Sequence, residues 1–251
     1  DWSSDVCSSD LRKHSRKNPW RNTSKKNSFD IKKALAAMIV ISLPLMIVCL
    51  VANLVFRLPD VYEYSLTSSN ILQNTSLSTT KEEVQKAFSD FMQGKTDELK
   101  LIEKTEYKPE DIFSKEDKEA MKSLRTFLNV LLVIGLFSLF ITFVVYFFMI
   151  RWRVKGIFMD RYKQSLWVFI GVEILNVTIK FVDPLWKHIY GLFMRTSFKE
   201  GDNMVLLLGD AFPKQVALFE LIVGSVVMAL VGYLTWSVAG RKKLFKERWS
   251  E

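Results

Sequence analysis

Long apolar runs alternate with charged segments along this chain. Residues 34–56, ALAAMIVISLPLMIVCLVANLVF, hold no charge over 23 positions. That is about 34 Å as a helix, enough to cross the hydrocarbon core of a bilayer. Residues 127–150 are equally uncharged, and residues 216–240 carry a single acid, Glu220. The run at 166–182, LWVFIGVEILNVTIKFV, is interrupted by Glu173, Asn176 and Lys180. Spacings of three, four and seven put these three on one helical face. A charge facing lipid at the membrane centre costs ~2.5–3.5 kcal/mol, so the stripe is expected to face the bundle interior. It reads either as a site inside the membrane or as packing glue, with Lys180 snorkelling to the interface. Pro44 is a candidate kink in the first run, and Cys49 reads as a small buried hydrophobe.

The pattern between the first two runs changes character. FRLPDVYEYSLTSSN, from residue 56, reads as an extended stretch along the interface, where tyrosines are favoured. Thr80-Lys81-Glu82-Glu83 reads as a capping box, followed by Val84, Phe88 and Phe91 on one helical face. Gly94 ends that helix, and ELKLIE at 98–103 alternates as a short strand. Ser114 caps a helix that runs into the second span. In the later segment, DPLWKHIYGLFMRTSF reads as an interfacial helix, KEGDN as a turn, and MVLLL is too short to cross. The fold expected is an all-α membrane protein. It has four transmembrane helices and a small, mainly α-helical or α+β extracytoplasmic domain between the first and second.

Charge orients these spans. Residues 12–33 carry nine Lys/Arg and one Asp, 151–165 five and one, and 241–251 five and two Glu. Residues 57–126 balance 11 bases with 14 acids, and 183–215 balance four with four. The expected order is a basic cytoplasmic arm at 12–33, an extracytoplasmic domain at 57–126, a basic cytoplasmic loop at 151–165, an extracytoplasmic interfacial segment at 183–215 and a cytoplasmic tail at 241–251. A multi-pass protein of the cell (plasma) membrane is expected, with both termini inside and membrane lipids as partners. The arm is expected on anionic headgroups, and no nucleic-acid recognition fold accompanies it. Residues 1–11, DWSSDVCSSDL, break the pattern. They match the translation of a sequencing-adapter oligonucleotide and carry no functional weight. Without Asp1, Asp5 and Asp10 the formal charge moves from +8 to +11, and Cys49 is left as a single cysteine, so no disulfide framework is expected.

Candidate chemistry is sparse. The sequence holds no GxGxxG, P-loop, HExxH, GxSxG or CxxC, and no cofactor is expected. His14 and His188 fall on opposite sides of the membrane in this topology, which rules out a two-histidine metal site within one chain. His188, beside Lys187 and near Asp183, is the best acid/base candidate by residue type. Glu119 is a further candidate, within a carboxylate cluster that suits a helix N-terminus.

The layout resembles the bacterial four-span family that includes the lipoprotein intramolecular transacylases. The likeness rests on a first span ending FRLPDVYEY, a helix FSKEDKEAMKSLRTFLNVLL entering the second span, and FKEGDNMVLLLGDAFP before the last. It covers nearly all of residues 34–245. It implies transfer of an acyl chain from the glycerol of a lipid-modified lipoprotein cysteine to the cysteine amino group. The family's activity is associated with outer-facing histidines. At the first, in a pattern like His-Met-x-x-Val, this chain has Ala120-Met121-Lys122-Ser123-Leu124. At the second the matching place is Met194, with His188 nearby. The resemblance therefore carries no catalytic residue across. Three readings follow: an acyl-transfer enzyme acting on bacterial lipoproteins, a non-enzymatic membrane protein that binds a lipid or protein partner, or a small transporter subunit resting on the polar stripe.

Overall fold

The computed structural model describes residues 19–68, 79–103, 110–152, 155–194 and 211–240. Residues 1–11, the turn at 199–203 and MVLLL at 204–208 lie outside them. The described elements are α1 (Pro19–Val55), α2 (Pro59–Ser68), α3 (Lys81–Gln93), β1 (Ile102–Glu103), β2 (Glu110–Asp111), α4 (Lys115–Trp152), α5 (Lys155–Phe181), α6 (Asp183–Met194) and α7 (Ala211–Gly240). Four helices are long and apolar enough to span a bilayer, at Ile31–Val55, Lys115–Trp152, Gly156–Phe181 and Ala211–Ser237. Their outward faces are apolar, with Ile41, Val133, Phe143, Trp167 and Ile222 all more than half exposed. A soluble protein does not carry such a belt. The chain is a multi-pass membrane protein.

Packing is organised around α1, which lies against α4, α5 and α7, while α5 and α7 also lie against each other. Ile39, Leu43, Ile47 and Val55 of α1 are buried. Inter-helix hydroxyl pairs add directional contacts: Thr142 donates to Ser42 at 3.0 Å, and Tyr162 donates to the Met228 carbonyl at 2.9 Å. The third span is longer than its apolar run. Residues 155–165, expected as loop, are the first three turns of α5, with Phe158 and Ser165 buried. Asp160 and Lys163 are exposed on this helix rather than in a connection.

The domain between α1 and α4 follows its local chemistry. Thr80 caps α3 as expected. Its hydroxyl accepts from the Glu83 amide at 3.3 Å, and the Glu83 carboxylate accepts from the Thr80 amide at 3.4 Å. Ser114 and Asp117 make the same reciprocal pair at 3.1 Å in front of α4. From there α4 runs 38 residues without a break, about 57 Å, from the domain through the bilayer. The strand at 98–103 narrows to Ile102–Glu103, paired antiparallel with Glu110–Asp111. The FRLPDVYEY stretch is a correction. It is helical from Pro59, because proline suits a first helical position and Asp60 suits the first turn. Burial of Val61, Tyr62 and Leu66 holds that helix in place.

Gly94 ends α3 with φ +81°, and its amide donates to the Phe91 carbonyl at 3.0 Å. A Cβ there would stand 3.1 Å from Arg125 Nη2. Gly94→Ala is expected to destabilise the protein by about 1 kcal/mol or more, and Gly94→Asn by less, since asparagine tolerates the left-handed region. Thermal unfolding of the two variants in detergent checks the order.

Candidate functional site: a buried ion pair beneath the extramembrane domain

The polar stripe of α5 faces inward. Glu173 and Lys180 are each 4% exposed and Asn176 is half-buried. What they meet is Glu220 of α7, also 4% exposed. The Lys180 ammonium donates to Glu220 Oε2 in a buried ion pair. Asn176 Nδ2 donates to the same oxygen at 2.7 Å. The ammonium also lies 5.9 Å from the Phe56 ring at the end of α1. Glu173 points toward Gly224, one turn beyond Glu220 on α7. A Cβ at Gly224 would meet Phe169 at 3.2 Å and Glu173 Oε1 at 3.4 Å, so the missing side chain gives Glu173 its room. Glu173 Oε2 and Glu220 Oε1 make no hydrogen bond to a described residue. The set therefore holds two carboxylates, one ammonium and one amide in an apolar surround.

Aromatic side chains carry this site into the domain. Phe56 meets Phe212 edge-on at 6.0 Å, Phe212 stacks on Tyr62 at 5.4 Å, and Tyr62 stacks on Phe88 at 5.6 Å. The Tyr62 hydroxyl donates to the Phe56 carbonyl at 2.7 Å. Its burial pushes ionisation well above the ordinary tyrosine range, so it stays a donor. Polar clamps hold the same junction. Asn53 Nδ2 donates to the Leu128 carbonyl at 2.5 Å, Arg57 Nη2 to Asn129 Oδ1 at 2.7 Å, and Gln93 Nε2 to the Arg57 carbonyl at 2.9 Å. On α6, Tyr190 lies near Glu220. Burial first, and the Glu220 charge second, push its hydroxyl ionisation up.

The other sequence candidates do not join this set. His188 is exposed on α6 and makes no hydrogen bond or ion pair to a described residue. Glu119 is exposed in the first turns of α4, beside Ala120 at 1% exposure. The Asp183 side chain lies outside the described residues, as does Met194 in all but its backbone. Lys180 pairs with Glu220 of another span. Glu220 is the residue that sequence reasoning left out of the site. Its signal was present as the one acid in an otherwise uncharged span, but its partner depends on α5 and α7 being neighbours. Among the described residues no cluster of three metal-ligating side chains occurs.

No protein-family pattern matches the chain, and no curated protein matches it in sequence. Solved structures do. The chain is similar to the membrane integral lipoprotein intramolecular transacylase Lit from Bacillus cereus. Against a variant with one histidine replaced by alanine, the TM-score is 0.70 at 13% identity, covering 88% of this chain and 99% of that one. Against a variant with arginine there, it is 0.65 at 13% identity, covering 92% and 100%. A further structure of the same transacylase gives 0.64 at 13% identity, covering 86% and 99%. The likeness establishes a shared four-span fold over almost the whole of both chains.

Removing one member of a buried ion pair leaves the other charge uncompensated, whereas replacing both does not. Lys180→Met and Glu220→Leu are each expected to lower stability by about 3 kcal/mol, and the double variant by clearly less than either. A double-mutant cycle on unfolding in detergent or bicelles measures the coupling. Additive losses would mean the two side chains act independently.

Proposed function

We propose that this protein engages acylated lipoproteins at the outer leaflet as a relative of the transacylases that does not itself move the acyl chain through a histidine. The observation that carries this reading is residue 120. The fold resembles a lipoprotein transacylase, yet the position expected for histidine holds Ala120, sealed at 1% exposure, and His188 stands apart on the surface. Transfer from an ester to an amine needs a base at the attacking nitrogen and donors at the carbonyl oxygen. Alanine supplies neither. What the fold retains is a domain held on four spans by a buried core of Phe56, Tyr62, Phe88 and Phe212, so that a polar domain stands directly over apolar helices. Such a junction suits a molecule with chains in lipid and a peptide in water.

One observation favours an active alternative. Glu220 is a buried carboxylate with an ammonium and an amide donor on its other oxygen. In that reading Glu220 takes the proton from the attacking amine. The nitrogen bonds to the ester carbonyl carbon, the carbon–oxygen bond to glycerol breaks, and the proton passes to the glycerol oxygen.

The test is mass spectrometry of a lipoprotein's N-terminal peptide, with photocrosslinking from the lipoprotein. The chain is expressed, or omitted, in a host without other N-acylating activity. The expected result is an unchanged diacylglyceryl peptide and a crosslink that depends on the protein. An N-acylated lyso-form would overturn the non-catalytic reading. Loss of that product in Glu220→Gln, with the variant present in the membrane at an unchanged level, but not in His188→Ala would establish the alternative. Neither product nor crosslink, with the protein present in the membrane, would sink both.

A further inference from the structure

The opposite end of the bundle, where α1 begins and α7 ends, is built differently. There α4 and α7 both lie on α1 and leave between them an apolar groove of about 450 Å³. Leu43 and Met46 of α1 form its floor, with Phe143 and Phe147 of α4 and Val231 and Leu234 of α7 as walls. The hydroxyls along it are engaged with one another. Thr142 donates to Ser42 at 3.0 Å, Tyr146 and Thr235 share a hydrogen bond at 3.0 Å, and Thr235 reaches the Val231 carbonyl at 2.7 Å. Phe143 is 69% exposed and Leu234 58%, so the groove opens sideways to the bilayer. Its volume is that of a small-molecule site, and its surface offers hydrocarbon.

The helix ends beyond the groove are basic. Ile150, at its end, adjoins Arg151, and the Lys32 ammonium sits 5.7 Å from the Trp152 ring. Phe158 lines the groove from α5, three residues before Arg161. At this end the described side chains include Lys32, Lys33, Arg151, Arg161 and Lys163 against Asp160. We propose that the groove is a binding site for an anionic phospholipid of the adjoining leaflet, one acyl chain lying between α4 and α7 and the phosphate meeting Lys32 and Arg151. Charge complementarity selects this occupant over a zwitterionic lipid. Basic clusters beside a membrane attract anionic headgroups, and a pocket between spans fixes the chain beneath them. The site lies at the other end of the bundle from the Lys180–Glu220 pair and does not depend on the function proposed above.

The test is native mass spectrometry of the full chain released from bilayers of equal phosphatidylglycerol and phosphatidylcholine with identical acyl chains. One lipid retained per chain is expected, with phosphatidylglycerol favoured about thirtyfold, the scale that two nearby basic residues provide. Leu234→Trp fills the groove from a lipid-facing position and is expected to abolish retention, with helical content unchanged by circular dichroism. Lys32→Gln with Arg151→Gln is expected to keep the lipid and lose the preference. Retention of both lipids equally by the unaltered chain would overturn the site. So would undiminished retention by Leu234→Trp, or a dimer that forms on this face with no lipid bound.

Discussion

An ammonium and a carboxylate placed on separate spans of a four-helix membrane protein have to meet, because hydrocarbon offers neither of them water. Lys180 and Glu220 do meet, and much of the arrangement follows. Their pairing draws α5 against α7 at one level and fixes the rotation of both helices. Asn176 bonds the same Glu220 oxygen one turn from Lys180, which sets the register as well. α5 is interrupted by polar residues more than the other spans, so its own hydrophobicity constrains its place least. A directional contact supplies what a uniform apolar surface cannot. Lipid tails compete equally well for any apolar face, and helix association in a bilayer relies on packing and polar contacts.

The pair also explains why the extramembrane domain sits where it does. Phe56 caps the ammonium at 5.9 Å and lies at the end of α1. From Phe56 the contacts pass through Phe212 and Tyr62 to Phe88, and Phe88 meets Phe113 edge-on at 5.5 Å. This aromatic run spans α1, α7, α2 and α3 before reaching the turn that precedes α4. Each ring touches an element from a different part of the chain. Tyr62 has the most connected place, stacked with Phe88 and with Phe212 and bonded through its hydroxyl to the Phe56 carbonyl. The Phe56 carbonyl is at the C-terminus of α1, where helix carbonyls lack intrahelical partners. One tyrosine thereby ends α1, anchors α2 and couples the domain to the bundle.

The spans were legible because uncharged runs of over 20 residues have few other fates, and the α3 capping box because its residues stand at a fixed spacing. The α2 helix was obscured by Pro59, which punctuates an extended reading and a helix start equally well. Only the partners of Tyr62, supplied by Phe88 and Phe212 from distant segments, decide between them. The first turns of α5 were hidden by charge. Arg161 and Lys163 suit a loop, yet Tyr162 between them reaches across to the Met228 carbonyl. At the site, the inward face of Glu173, Asn176 and Lys180 could be read from helical spacing. Their partner could not, because periodicity describes one helix at a time and says nothing of which helices adjoin.

The two ends of the bundle solve the same problem in opposite ways. Near the domain, charge is brought inside and closed off by Phe56, Tyr190 and the aromatic run. Where α1 begins and α7 ends, charge stays at the rim and the groove is hydrocarbon, with Thr142 bonded to Ser42 and Tyr146 to Thr235. A polar group buried at the open end would be reached by lipid tails that cannot satisfy it, at a cost of several kcal/mol. At the domain end α2, α3 and α6 provide a cover, and ionisable groups become tolerable there. The location of Lys180 and Glu220 is thus a consequence of where the chain has spare protein to shield them.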